Sequence, residues 1–479
     1  MAYKFHFLSH KILPRFCHHP DTIHWLATSK ERDEEANLKS FPPDDETILA
    51  PAFWVIEFYT PSHIEGLLTS LIKLGWDSNS ETSLTDPVSW ISACRNGGSY
   101  GGWLNIGRIS SVRSTMLHHR FAPLPYGVES GDAKLHMLTQ SLFCLIIQFK
   151  TTKRSSGTYD YLLRKKHRTS ALLRGKSTEF LEPENKRIAD IKKSRQQLRD
   201  SATSWFREHL PGLFATSSLG KGMPICELVT FSKAIPFNDE HYFSSKMGYM
   251  HTLSMDYHTY SYANDDVSGF KFSWPIQRSS MANVENYALL TINEADFDDK
   301  KFVMYEPKPN ELNLYVVNEV MEMFLTRWGC FLLTQFYEAQ INKLDETLNS
   351  KYFVKKWPIN KLRDMERYIS SNADLTTILE ELKQFASFKK RYSHEVESFS
   401  PCQNWDNSDS VVPVHESIRR GTKLRSKMLL KRYSALRESV AQVSALIAAS
   451  TNTMIQWLIT GLTILVLLIS IYSVLSVGD

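Results

Sequence analysis

The C-terminal stretch Met454 to Val477, MIQWLITGLTILVLLISIYSVLSV, contains no Asp, Glu, Lys, Arg, His or Pro. A helix rises about 1.5 Å per residue, so Ile455 to Leu475 covers roughly 31 Å, the thickness of a bilayer's hydrocarbon core. A core helix of a soluble protein of that length keeps a polar face, and this stretch has no charge on any face. The sequence therefore predicts one transmembrane helix over 454–477. The rest of the chain must fold as a head tethered to that rod.

The 479 residues, 42% hydrophobic and 23% charged, have an ordinary globular balance, so most of the chain reads as water-soluble protein of two or three domains. The N-terminal sequence MAYKFHFLSHKILPRF has no apolar run of signal-peptide length. Cys17, Cys94, Cys144, Cys226, Cys330 and Cys402 are scattered singly, without the close spacings of a disulfide framework or a zinc knuckle. Both features are those of a head that stays in the reducing cytosol.

The formal charge of +4 is unevenly spread. Lys150 to Arg199 holds fifteen Lys/Arg against five Asp/Glu. A second basic run is Arg419, Arg420, Lys423, Arg425, Lys427, Lys431, Arg432 and Arg437, with no acid between them. Basic residues near a membrane helix stay on the cytoplasmic side, so this collar orients the protein as tail-anchored and single-pass, with its N-terminal bulk cytoplasmic. The same charges form a solvated helix face that can lie against anionic headgroups.

Ala52 to Tyr59, AFWVIEFY, reads as a buried strand. Ser62 and Glu65 have the spacing of a capping box, and Gly75 is placed to stop the helix that follows. Asp86-Pro87 reads as cap and first turn of another helix, which ends in the glycine-rich run Asn96 to Gly102. That run lacks the GxxxxGK[ST] pattern of a phosphate cradle and reads as a loop. Trp103 to Ile109, Ser141 to Lys150, Pro224 to Phe231 and Asn286 to Ile292 are further strands. Glu184 to Glu208 carries a helical pattern through Ile188, Ile191, Leu198 and Trp205. A nucleic-acid surface there is allowed by charge, but 150–180 has few aromatics for base stacking, so a solvated helix or membrane-facing surface is the favoured reading.

Past Pro307 and Pro309 the pattern turns to long helices. Glu311 to Asn349 is apolar but interrupted by Glu319, Glu322 and Arg327, which points to a buried helix, not a second membrane span. Lys361 to Ser370 and Asp374 to Phe399 read as amphipathic helices, and from His415 helix signals continue to the membrane. In this last helix Leu429, Tyr433, Leu436, Val440, Val443 and Ile447 form a coiled-coil seam, packed either on earlier helices or on a sister copy. The expected fold class is an α+β cytosolic domain (1–305, with a basic helical insertion at about 150–208), followed by a helical stalk (306–453) and a single C-terminal transmembrane helix.

Few residues suggest chemistry. Thr453, Gln456, Thr460, Thr463 and Ser470 share one face of the membrane helix, and that face is expected to turn toward other helices or water. Cys17, His18, His19, Asp21 and His24 match no standard metal spacing. Arg113 and His118 have the Arg-x4-His spacing of certain ribonucleases. Two acidic groups, Asp256 to Asp266 and Asp296 to Asp299, lack the glycine of a calcium loop. No GxSxG, HExxH or kinase signature is present, and no pattern names a cofactor.

The layout of a cytosolic α+β domain, helices, and one long helix entering the membrane resembles the CorA-like metal transporter superfamily. The local likeness lies in Leu446 to Ile471, LIAASTNTMIQWLITGLTILVLLISI, where a Thr-Asn-Thr turn enters the membrane helix. The Gly-Met-Asn motif and second membrane helix of that family have no counterpart here, so the resemblance implies an oligomeric funnel with a membrane stem and not metal transport. The function expected is that of a homo-oligomeric effector whose head senses a small-molecule or protein trigger and acts on the bilayer through the stalk. The alternatives are an anchored interaction scaffold and a membrane-tethered hydrolase or nuclease using Arg113 and His118.

Overall fold

A computed structural model of the chain describes residues 22, 25–26, 28–77, 86–97, 102–113, 119–174, 177–217, 222–236, 248–255, 259–267, 269–275, 286–294, 314–349, 360, 367, 373–402 and 412–476. Its strands are β1 (Ile48–Tyr59), β2 (Gly102–Ser110), β3 (His119–Phe121), β4 (Val128–Met137), β5 (Phe143–Thr151), β6 (Ser170–Arg174), β7 (Ser177–Leu181), β8 (Ile225–Phe231), β9 (Thr259–Asn264), β10 (Phe270–Pro275), β11 (Tyr287–Asn293) and β12 (Phe399–Pro401). The main helices are α1 (Lys30–Ser40), α2 (Pro61–Lys73), α3 (Pro87–Arg95), α4 (Thr158–Arg164), α5 (Pro183–His209), α6 (Leu314–Asn349), α7 (Ala373–Ser387) and α8 (Val414–Ser476).

A strand apolar on both sides must be covered on both sides, and β1, buried throughout from Ala52 onward, lies in the middle of the sheet. Ten strands run in the order β12-β9-β10-β11-β8-β1-β5-β4-β2-β3, and β6 and β7 form a separate hairpin. The pairing is antiparallel except for β11 with β8 and β2 with β3. The expected strands around Trp103, Ser141, Pro224 and Asn286 are β2, β5, β8 and β11. The chain has the α+β sheet domain, the helices after it and the long apolar C-terminal helix that the sequence implies.

Alternation divides the sheet into two faces. Trp54, Ile56 and Phe58 point to one face, where the first half of α6 crosses. The Trp54 indole donates to Asn318 Oδ1 at 2.8 Å, and Phe272 meets Phe324 with centroids 4.8 Å apart. Gly329 sits where that helix passes β1, and a Cβ there would lie 3.0 Å from Ile56. The alternate residues Phe53, Glu57 and Tyr59 face α5 and the helical turn Leu213–Thr216, with Phe149 edge-on to Trp205 at 5.5 Å and the Tyr59 hydroxyl donating to Leu210 O at 2.9 Å.

The cap of α3 is as expected, with Asp86 accepting from the Val88 and Ser89 amides. Three readings are corrected. Thr60, not Ser62, is the N-cap of α2, because Pro61 supplies the first helical position and draws Ser62 inside. The C-terminal stop is as read: Gly75 takes φ +68°, and the Gly75 and Trp76 amides donate to Ile72 O and Leu71 O. The helix expected over Asp374 to Phe399 ends at Ser387, and Phe399 to Pro401 pair with β9 as an edge strand. The basic stretch is not simply a solvated face, since Arg187, Arg195 and Arg199 of α5 are buried. Lys361 to Ser370 lies largely outside the described residues.

The chain has two compact units. One comprises residues 1–332 with 388–420 and holds the large sheet; the other comprises 333–387 with 421–479. In the second unit Arg425 pairs with Glu338 at 2.8 Å, and Arg432 reaches Asn342 and Asp345 at 2.6 and 3.0 Å. Both partner numbers rise together, so α8 runs parallel to the end of α6. Leu429, Tyr433 and Val440 of the seam are buried, as are Tyr337 and Ile341 of α6 and Leu375, Ile378 and Leu382 of α7.

Candidate functional site

Helix α8 is one uninterrupted element of 63 residues. No Pro or Gly pair breaks it, and its charge pattern changes along its length. The first turn is fixed by Glu416, which accepts from Arg419 at 2.7 Å on each oxygen and from Arg420 at 2.9 Å. Those two guanidinium groups, Arg419 first, hold the Glu416 carboxyl down at about 2. The C-terminal part is long and apolar enough to cross a membrane, and none of its most apolar window is buried within the protein. In the core helix of a soluble domain the same residues would be covered.

The basic collar separates into two kinds of residue. Arg419, Arg420, Arg425 and Arg432 are engaged by Glu416, Glu338 and Asp345. Lys423, Lys427, Lys431 and Arg437 are exposed. Part of the run read from sequence as one charged face therefore joins helices together.

On the membrane segment, the hydroxyls of Thr453, Thr460, Thr463 and Ser470 donate to the carbonyls of Ala449, Gln456, Ile459 and Val466 at 2.8 to 3.0 Å. Each polar group thereby finds its partner one turn back in its own helix. Gln456 has the one side chain of the set with no hydroxyl to fold back, and it is exposed.

Beneath the helices the sheet carries ionisable side chains that the sequence reading did not single out. Glu227 on β8 accepts from the Tyr159 hydroxyl at 2.5 Å and from the Tyr287 hydroxyl, and Arg195 of α5 lies 3.5 Å away. Arg195 also donates to Ser254 Oγ and Leu253 O, at 3.0 and 2.9 Å. Burial opposes the Arg195 charge, but Tyr287, Tyr159 and Glu227 outweigh it and raise its pKa. On the opposite face Lys134 and Glu322 pair at 2.5 Å, and burial, opposed by Lys134, raises the Glu322 carboxyl. His136 beside them is pushed down to about 3, first by burial and then by Arg327 and Lys134, so its imidazole is neutral. These clusters are interior polar networks whose groups mostly satisfy one another, the arrangement of a fold's framework.

Lone acids inside otherwise apolar strands were the available signal. Glu57 in AFWVIEFY and Glu227 in ICELVTF both turn to the α5 side of the sheet. Of the proposed nuclease pair, Arg113 is exposed and stacks over Phe121 at 5.2 Å, and His118 lies outside the described residues. Cys17, His18, His19, Asp21, His24, Asp256, His258, Asp296, Asp298 and Asp299 also lie outside them. Asp266 sits in a turn whose amide donates to Asn264 Oδ1 at 3.0 Å. Among the described residues no group of three His, Cys, Asp or Glu is placed to hold a metal.

Compared with known proteins, the chain matches no family model, no curated protein and no solved structure.

Proposed function

We propose that the chain is a tail-anchored membrane protein whose sheet unit responds to a ligand or partner and passes that response along α8 to the bilayer. The observation that carries the reading is the continuity of α8. Its first residues are buried with the sheet unit, Val414 and Ile418 among them, and the same helix ends as the apolar span. A helix without a break transmits rotation or displacement along its axis, whereas a flexible linker would dissipate it. Helix α6 likewise begins on the sheet and continues into the second unit. The likeness to CorA-like proteins enters this proposal as a similarity of layout alone.

The test is dye leakage or membrane conductance on expression of the full chain. Leakage that disappears when two glycines are inserted after Ala445, with membrane insertion kept, supports coupling. Membranes that stay intact under every condition of expression and stress overturn it. A second reading, an anchored scaffold, draws on the same span. Partner capture that survives replacement of Ile455 to Leu475 by an unrelated anchor favours it.

A further inference from the structure

At the β3 end of the large sheet, β2 and β3 alternate between two faces. Ile106, Ile109 and Ala122 turn inward and are buried. Trp103, Asn105, Arg108 and Phe121 turn outward and are exposed, with Ser110, His119 and Asp132 half-buried beside them. Strand register puts these side chains on one surface. Arg108 stands opposite Asp132 on β4 and His119 on β3, and Ser110 stands opposite Phe121. The surface adjoins α6, since Lys134, opposite Asn105, reaches Glu322 of that helix. Beyond Lys134 the face is open, and Trp103 and Phe121 are 48% and 42% exposed.

Rings and cations occur together there. Lys134 Nζ lies over the Trp103 ring, 4.7 Å from its centroid, and the Arg113 guanidinium lies over Phe121 at 5.2 Å. Arg113 is itself exposed. Among the described residues neither Arg108 nor Arg113 has an ion-pair partner, and Arg108 donates to Ser130 Oγ at 3.2 Å. Asp132 is opposite Arg108 in register but forms no ion pair with it, and Glu129 at the start of β4 is engaged by Lys150 at 3.7 Å. The surface therefore presents two guanidinium groups without counter-charges, beside two open rings.

We infer that single-stranded nucleic acid binds this open sheet face, with bases on Trp103 and Phe121 and phosphates on Arg108 and Arg113. Unstacked bases offer π faces to exposed rings, and phosphate oxygens match the guanidinium fork. Trp103 and the Phe121 row are seven residues apart on β2, roughly 20 Å at about 3.3 Å per residue. A ligand that reaches both is a strand of several nucleotides, not a mononucleotide. A duplex keeps its bases stacked inside and uses neither ring. A bilayer surface selects clustered apolar side chains, whereas here Asn105 and Arg108 stand between the two rings. The basic run Lys150 to Arg199, where charge alone suggested such a surface, instead buries Arg187, Arg195 and Arg199.

The inference concerns this surface alone and does not rest on coupling through α8. The test is fluorescence anisotropy of a labelled oligo(U) of about twelve nucleotides with the detergent-solubilised full chain, from about 50 mM salt upward. Saturable binding is expected, weakened about tenfold or more by Trp103→Ala or Phe121→Ala. Arg108→Gln with Arg113→Gln is expected to weaken it and to reduce the salt slope by about 1.4, whereas Arg108→Lys with Arg113→Lys keeps the slope. Lys423→Gln with Lys427→Gln, on α8, leaves binding unchanged. All four face residues are exposed, so thermal midpoints equal to that of the unsubstituted chain are expected for their variants. No binding by the unsubstituted chain, binding indifferent to the four face residues, or a duplex of equal length bound as tightly as the single strand overturns the inference. So does the finding that Trp103→Ala and Phe121→Ala weaken binding to vesicles of about 30% anionic lipid and not to the oligonucleotide, which assigns the face to headgroups.

Discussion

Glu57 shows how much a single interior acid can govern. Its carboxyl accepts from the amides of Phe58, Phe214 and Ala215 at 2.9, 2.7 and 2.8 Å, yet no cation neutralises it in that network, and burial pushes its pKa up to about 8. A folded-state pKa above the unfolded value of 4.5 means that the protonated carboxyl is the form the fold favours. Its contribution is complete below the unfolded pKa and is lost as pH rises through the folded one, at about 1.4 kcal/mol per pH unit within the window. Urea midpoints of the sheet unit in the full chain are therefore expected to fall between pH 5 and pH 8. Glu57→Gln, which cannot ionise, flattens that slope; parallel profiles for the two proteins would contradict the assignment. Glu227, unlike Glu57, has a cation beside it, Arg195 at 3.5 Å. Arg195→Met leaves a buried carboxylate without its cation and is expected to cost about 3–5 kcal/mol, whereas Arg195→Met with Glu227→Leu recovers a large part of that loss. Thermal unfolding of the two variants distinguishes a true pair from two independent contacts.

Among the elements, those defined by local signals were legible in the sequence. The β1 run, the Asp86 cap, the Gly75 stop and the unbroken α8 all follow from residues adjacent in the chain. Elements defined by distant partners were not. The sequence singles out no strand over β4, VESGDAKLHM, because the partner that lets Lys134 be buried, Glu322, sits on α6 and nowhere near in sequence. Phe399 to Pro401 is a strand because β9 offers an edge, and the arginines of α5 are interior because β8 and α1 supply acceptors such as Glu227 and Asn37. The same distinction bears on the basic collar. Lys423, Lys427 and Lys431 precede Ile455 by more than twenty residues on one straight helix, hence by about 36 Å or more. Headgroups extend only about 5–8 Å beyond the hydrocarbon, and salt screens charge over a further 8 Å or so. Only Arg437, about 18 positions before Ile455, comes within the range over which basic residues set orientation. Reversing Lys423, Lys427 and Lys431 to Glu is thus expected to leave binding to vesicles of 30% anionic lipid unchanged. A severalfold loss in flotation would show that α8 lies along the surface instead of standing on it.

At the scale of the whole molecule, what matters is that head and span are joined by one continuous helix backbone. Among the described residues the most apolar window of the span is 0% buried. The interior of the sheet unit is complete without it, with β1, β5, β8 and β11 buried between α6 on one face and α5 on the other. A chain ending at Thr453 is therefore expected to keep the thermal midpoint of the full protein to within about 2 °C, since a stability change large enough to exceed that requires the loss of buried contacts. The same chain should move from the pellet to the supernatant when membranes are washed in alkaline carbonate, while the full chain stays in the pellet. Both outcomes follow from one premise, that lipid is the only solvent suited to residues 454–471. If the truncated protein unfolds at lower temperature, the span has a place against the head after all. If the full chain washes off, it has no place in the bilayer.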